Sequence, residues 1–88
     1  MIIDYHRRFL KHFKQRILPR RSLDRQYKKR LQLFLEHRSD PILADHALHG
    51  DMEGKRSFSV NGDIRVIYRI VRDAFLFYDI GTHNQVYS

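Results

Sequence analysis

His83 and Tyr87 lie four residues apart, just past a run that reads as a strand (Ala74 to Ile80). His46, His49, Arg56, Asp63 and Arg65 stand upstream. These are the residue types needed to cleave RNA through its own 2′-hydroxyl. One group must take the 2′ proton, cations must meet the charge that grows on phosphorus, and an acid must protonate the leaving 5′-oxygen. Histidine suits both proton roles, because its ordinary titration range spans neutrality. Arginine suits the phosphate, because it is always charged and offers a fork of donors. Each residue also has a plainer reading. His83 and Tyr87 could be a surface histidine and an anchor in a short, mobile tail beside a flexible Gly81. Arg65 could be one half of a structural ion pair, with Arg56 similar but nearer the sheet edge. Asp63 could simply shape a turn.

No metal or other cofactor is expected. Cysteine is absent. His46 and His49 are three residues apart with Asp45 and Asp51 beside them, but no third and fourth ligand follows at a metal-site spacing.

The chain has 88 residues and a formal net charge of +7. It is expected to form a single domain over residues 1–88 with a small core, burying roughly 60–65% of its unfolded surface. The charge is unevenly placed. Residues 1–38 hold 12 Lys/Arg against 3 Asp/Glu, and residues 39–88 hold 5 against 7. The basic half points to a polyanion, since phosphate neutralisation dominates non-specific nucleic-acid affinity. A solvated helix face is the alternative. An anionic membrane surface fits less well, because the basic segment lacks a clean Trp/Phe/Leu face. The opening residues contain no apolar stretch of signal-peptide length, and no apolar run is long enough to span a bilayer. With no cysteine, this agrees with a cytoplasmic location.

The elements that must position these residues can be read from periodicity. Ile2 to Tyr5 suits a short strand. Phe9, Phe13 and Ile17, with Leu10 alongside, mark an amphipathic helix from His6 to Ile17. Pro19 breaks it. Ser22 is the expected cap of a second helix whose apolar face is Leu23, Tyr27, Leu31, Phe34 and Leu35, ending near His37 and Arg38. This basic hairpin carries Arg20, Arg21, Arg25, Lys28, Lys29 and Arg30 as candidate RNA contacts, while His6, His12 and His37 read as surface residues. Residues 39–54 form a loop. From Lys55 onward apolar residues alternate, with Asn61-Gly62 marking a hairpin. A three-residue loop, Asn61 to Asp63, pairs Phe58 with Val66 and keeps apolar against apolar, whereas a two-residue turn places Phe58 opposite Arg65. Ser57, Ser59 and Arg65 then share the other face. The expected class is α+β: a short N-terminal strand and a three-stranded antiparallel C-terminal meander packed against a two-helix hairpin.

The segment from Asp45 to Tyr87 resembles the RelE/ParE toxin superfamily, in particular its YafQ-like branch. The matching pieces are Asp45-His46-Ala47-Leu48-His49-Gly50, Gly54-Lys55-Arg56, Asp63-Ile64-Arg65-Val66-Ile67-Tyr68, Ile80-Gly81-Thr82-His83 and Val86-Tyr87. They cover about half the chain; the first half matches only in kind. The resemblance implies a RelE-like sheet on two helices and a metal-independent, ribosome-dependent endoribonuclease that cuts mRNA. It also implies a cognate antitoxin. By position it places His46 and His83 at proton-transfer sites, Asp63 at an acidic functional site, Tyr87 at an aromatic one and Arg65 at a phosphate-binding one. Ser59 departs from the pattern, since it stands where the YafQ branch has a histidine and the RelE branch a lysine. His49 is the candidate substitute base.

Two other functions compete with the nuclease: a ParE-like gyrase inhibitor, and a basic RNA-binding module without catalysis. The strongly cationic helices also suit a partner whose acidic, disordered C-terminal segment folds on this chain.

Overall fold

The computed structural model describes residues 2–87. In chain order its elements are β1 (Ile2–Tyr5), α1 (Arg7–Arg16), α2 (Arg21–Glu36), β2 (His46–Ala47), β3 (Arg56–Ser59), β4 (Ile64–Val71), β5 (Ala74–Thr82) and α3 (His83–Tyr87). Short 3₁₀ turns occupy Pro41–Leu43 and Gly50–Met52. The strands make one sheet in the order β1-β5-β4-β3-β2. The class is α+β, as expected, but the sheet is mixed and has five strands. β1 runs parallel to β5, with Ile2 opposite Ala74 and Tyr5 opposite Phe77, and every other pair is antiparallel. A parallel pair needs a crossover between its strands, and α1 and α2 begin that crossover.

α1 buries Phe9, with Ile17 buried at its C-cap, and leaves Leu10 exposed, so the stripe is narrower than the sequence pattern implies. The His6 Nδ1 accepts from the Arg8 amide at 3.0 Å and caps the helix. α2 buries Leu23, Tyr27 and Phe34, while Leu35 is exposed. Ser22 does not cap it. The carbonyl of Arg20 already accepts from the amides of Leu23 (3.0 Å) and Asp24 (3.1 Å), which starts the helix two residues earlier. The apolar sides of both helices pack on one sheet face. Phe34 is the hub there, stacked on Phe58 at 4.5 Å and edge-on to Phe75 at 4.8 Å and Tyr68 at 5.1 Å. Such pairs contribute about 0.5–1.5 kcal/mol each beyond burial.

The hairpin adopts the three-residue loop, with Phe58 opposite Val66 and Ser59 opposite Arg65. Asn61 makes the turn. Its Oδ1 accepts from the amides of Asp63 and Ile64, both at 2.7 Å, and its Nδ2 donates to Gln26 on α2 at 2.7 Å. Between Ile67 and Tyr68 the β4–β5 register shifts, leaving Tyr78 as the extra residue of a bulge. On the face away from the helices, Leu48, Ile67 and Val86 form a second, smaller cluster with Met52, Tyr78 and Tyr87 against it. Ser57 and Asp79 are also buried on that face, which is open around Arg65 and His83.

Candidate active site

Arg65 sits on this open face in the row Ser59–Arg65–Gly81. Its Nε is buried and has no hydrogen-bond partner. Among the described residues it forms no ion pair. Its Nη1 lies 3.5 Å from Nδ1 of His83. Arginine has no acceptor, so in this contact Nδ1 presents its lone pair and Nε2 carries the ring proton of the neutral imidazole. The His83 ring lies 4.5 Å from that of Tyr87.

These two residues are not in a mobile tail. They belong to α3, and the helix is closed by a reciprocal cap. The Thr82 amide donates to Gln85 Oε1 at 2.8 Å, and the Gln85 amide donates to Thr82 Oγ1 at 3.3 Å. This is a capping box, and Thr-x-x-Gln is its sequence signature. Val86, buried in the second cluster, anchors the helix to the sheet. Gly81 is a strand residue whose value is its missing side chain. A Cβ there would come within 2.7 Å of both Arg16 Nη1 and Gln85 Oε1. Arg16 needs that space to donate to the Ile80 carbonyl at 2.9 Å.

His46 lies on β2, at the sheet edge. The register His46–Ser57–Ile67 puts it on the same face as Arg65. The two are two strands and two residues apart, roughly 12 Å between Cα atoms from ordinary strand spacing and rise. Its Nδ1 is 2.7 Å from the Ala44 carbonyl, which can only accept. Nδ1 therefore carries a proton and Nε2 faces outward. The segment before it is locked. Ala44 adopts a left-handed conformation (φ 48°) between buried Leu43 and Asp45, whose side chain is 7% exposed. Asp45 accepts from Tyr68 Oη at 2.6 Å and from Arg56 Nε at 3.1 Å, with Arg38 Nη1 at 3.7 Å. Burial, followed by the hydrogen bond to Asp45, pushes the Tyr68 hydroxyl up to about 12. Burial pulls Arg56 down, but the Tyr68 hydrogen bond and the Asp45 charge outweigh it and leave the guanidinium raised.

The remaining expected site residues fall in different places. Arg56 is spent on Asp45 and Tyr68. Arg30 donates to the carbonyls of Ile42 and Ser59, both at 3.1 Å, and so ties α2 to the loop and the hairpin. Lys28 pairs with Asp24 at 3.0 Å, and Arg20, Arg21, Arg25 and Lys29 are exposed. Asp63 is exposed and immediately precedes Ile64, which pairs with Thr82, so it shares an end of the sheet with His83. Asn61 makes the turn, and the Asp63 carboxylate has no ion pair among the described residues. Ser59 Oγ donates to the Asn61 carbonyl at 2.7 Å, which closes the hairpin. His49 is exposed, 3.5 Å from Glu53, and lies beyond the Ala47–Arg56 pair at the end of β3 away from Arg65. Among the described residues, no three His, Cys, Asp or Glu side chains gather where they could hold a metal ion.

This mixed sheet with its helical layer is the fold of RelE/ParE-like toxins. It is similar to the YoeB/ParE toxin from Agrobacterium tumefaciens, with a TM-score of 0.72 and 16% identity, covering 94% of this chain and 99% of that one. The similarity is greater to YafQ from E. coli strain BL21(DE3), with a TM-score of 0.83 and 23% identity over 98% of this chain and 97% of that one. The YafQ chain in the E. coli DinJ–YafQ toxin–antitoxin complex gives 0.80 and 24%, over 98% and 96%. No curated protein sequence matches. Residues 1–88 match the family of YafQ bacterial toxins of type II toxin–antitoxin systems, and the chain belongs to that family.

Proposed function

We propose that this toxin is an endoribonuclease that cuts mRNA on the ribosome, using residues 1–88 as one domain. The observation that carries the reading is Arg65: a guanidinium with a buried Nε, no carboxylate partner among the described residues and His83 at its tip. A buried donor left unmade costs about 1–3 kcal/mol, more when charged, and an arriving phosphate removes that cost. The phosphate sits over Arg65, between His46 and His83. His46 Nε2 takes the 2′ proton, the 2′-oxygen bonds to phosphorus, and the bond from phosphorus to the 5′-oxygen breaks. Protonated His83 gives its proton to that oxygen, leaving a 2′,3′-cyclic phosphate and a 5′-hydroxyl. Arg65 meets the charge on the phosphorane, Tyr87 stacks on a neighbouring base, and Asp63 orients the cations at its end of the sheet. No step requires a metal. The exposed cations of α2 hold ribosomal RNA, while Arg56 and Arg30 brace the site. Work on translating ribosomes places the protein in the cytoplasm; no helix among the described residues is long and apolar enough to cross a membrane.

A cognate antitoxin completes the system. E. coli YafQ forms a complex with DinJ, and the cationic surface here favours a partner with an acidic segment that folds on binding. Because α3 is capped and packed, such a segment covers His83 and Tyr87 without needing to displace them.

The test is translation of a defined mRNA in vitro with the purified protein, followed by primer extension. New 3′ ends appear only in translated message and vanish when the antitoxin is added. Intact message alongside inhibited DNA supercoiling would move the assignment to a gyrase inhibitor. Intact message with ribosome association alone would move it to an RNA-binding module.

A further inference from the structure

Two clefts, whose cations play no part in the proposed chemistry, run on from Tyr87. The first, about 280 Å³, opens beside Tyr87 and is lined by Arg8, Lys55 and Tyr78, with Asp51 at its side. The second, about 400 Å³, continues past Arg8 and Tyr78 to Arg7 and Lys11 at the start of α1. Tyr78 is the extra residue of the β5 bulge, and cations crowd its ring: Lys55 Nζ is 4.1 Å and Arg8 Cζ 5.4 Å from the centroid. Arg8 commits only its Nε, to Asp79 at 3.1 Å. Among the described residues Arg7, Lys11 and Lys55 form no ion pair. The cations of α2 line neither cleft, whereas Arg7, Arg8 and Lys11 of α1 line a groove that begins beside Tyr87.

We infer that this groove is a subsite for single-stranded RNA, holding the backbone of nucleotides that flank the cleaved bond. This inference rests on the nuclease reading for its orientation. The chemistry fits a strand better than an isolated anion. Cations recur along the groove at Lys55, Arg8 and Lys11, with Lys55 and Arg8 against the Tyr78 ring and Tyr87 at the groove's start. That pattern tracks a backbone whose bases alternate with charge. An acidic peptide needs the same cations but gives no reason for the groove to start at Tyr87, whose ring packs against His83.

The test uses fluorescent, fully 2′-O-methylated oligoribonucleotides, which cannot be cut through the 2′-oxygen. A dinucleotide fills the Arg65–His83 position, and a hexanucleotide reaches the groove. Binding is measured by anisotropy across a salt series for the intact protein and three double variants: Lys11→Gln/Lys55→Gln, Arg7→Gln/Lys11→Gln and Arg21→Gln/Lys29→Gln. Circular dichroism confirms that each is folded. The expected result is a dinucleotide affinity that no variant changes. On the hexanucleotide, each groove variant loses about ten-fold, and the salt slope falls by roughly 1.4 for two contacts on a single strand. Equal loss in the α2 variant would overturn the subsite in favour of diffuse attraction. So would hexanucleotide affinity equal to that of the intact protein in both groove variants, absence of hexanucleotide binding, or groove-dependent binding of an Asp/Glu-rich peptide alone. Because binding is read without cleavage, failure of the nuclease reading shows separately, as intact message in the translation experiment.

Discussion

The two faces of the sheet treat charge in opposite ways. On the helix-covered face, Asp45 gathers Arg56, Tyr68 and Arg38, and the cluster neutralises itself. On the open face, Arg65 and His83 face each other with no carboxylate between them. A self-satisfied cluster fixes backbone, whereas an unsatisfied one is ready for a ligand. Arginine alone therefore does not reveal a phosphate site. Arg56 and Arg65 are both strand residues on the same short hairpin, but they project to opposite faces of the sheet, which separates a brace from a proposed catalyst.

The contrast breaks most sharply at His83. His83→Ala is expected to lower single-turnover mRNA cleavage about 10²–10⁴-fold, as loss of a general acid or base does. Arg65→Ala should lose at least about 10²-fold. Neither variant should lower the melting temperature, since neither side chain is part of the core. A fall in melting temperature with unchanged specific activity would make Arg65 a brace like Arg56.

On the other face the damage should fall on the fold. Asp45→Asn leaves two guanidinium groups and a tyrosine without their shared anion, and about 2–3 kcal/mol of stability should be lost in urea titration. The same cluster has an alkaline signature. The folded Tyr68 hydroxyl titrates at about 12 against 10.0 when free, raised first by burial. A raised acid favours the folded state fully below pH 10, and that contribution disappears as pH climbs from 10 to 12. Tyr68→Phe should remove this segment of the pH–stability curve.

Smaller effects sharpen the picture. Gln85→Ala opens one half of the α3 cap, and cleavage should fall about ten-fold through misplacement of His83. Gln85→Glu keeps an acceptor for the Thr82 amide and should restore the rate; if it does not, the cap is not what positions His83. Replacing Arg20, Arg21, Arg25 and Lys29 by Gln should flatten the salt dependence of ribosome co-sedimentation, by at most about one per lost contact.

Much of this was legible in the sequence. The hairpin register followed from keeping Phe58 against Val66, and α1 followed from Phe9, Phe13 and Ile17. The parallel pairing of β1 was not legible, because four residues carry no sign of which distant strand they join. β2 was also hidden, at two residues. The fate of Arg56 and Arg30 depends on Asp45, Tyr68 and two carbonyls, brought close only by tertiary packing. The α3 cap was readable from Thr82 and Gln85 but was masked by the glycine before it, which suggests looseness and in fact makes room for Arg16.

The sheet order also sets a condition on folding. β5, from the last quarter of the sequence, lies between β1, from its first residues, and β4. Phe75, Phe77 and Ile80 complete the core that Phe9 and Phe34 begin. Contacts this distant in sequence close late and slow the search for the native state. A growing chain that has reached only residue 70 has two helices with bare aromatic faces and no partner for β1. The toxin therefore becomes competent in one late step, and any fragment that ends before β5 leaves those faces open to solvent, chaperone or protease.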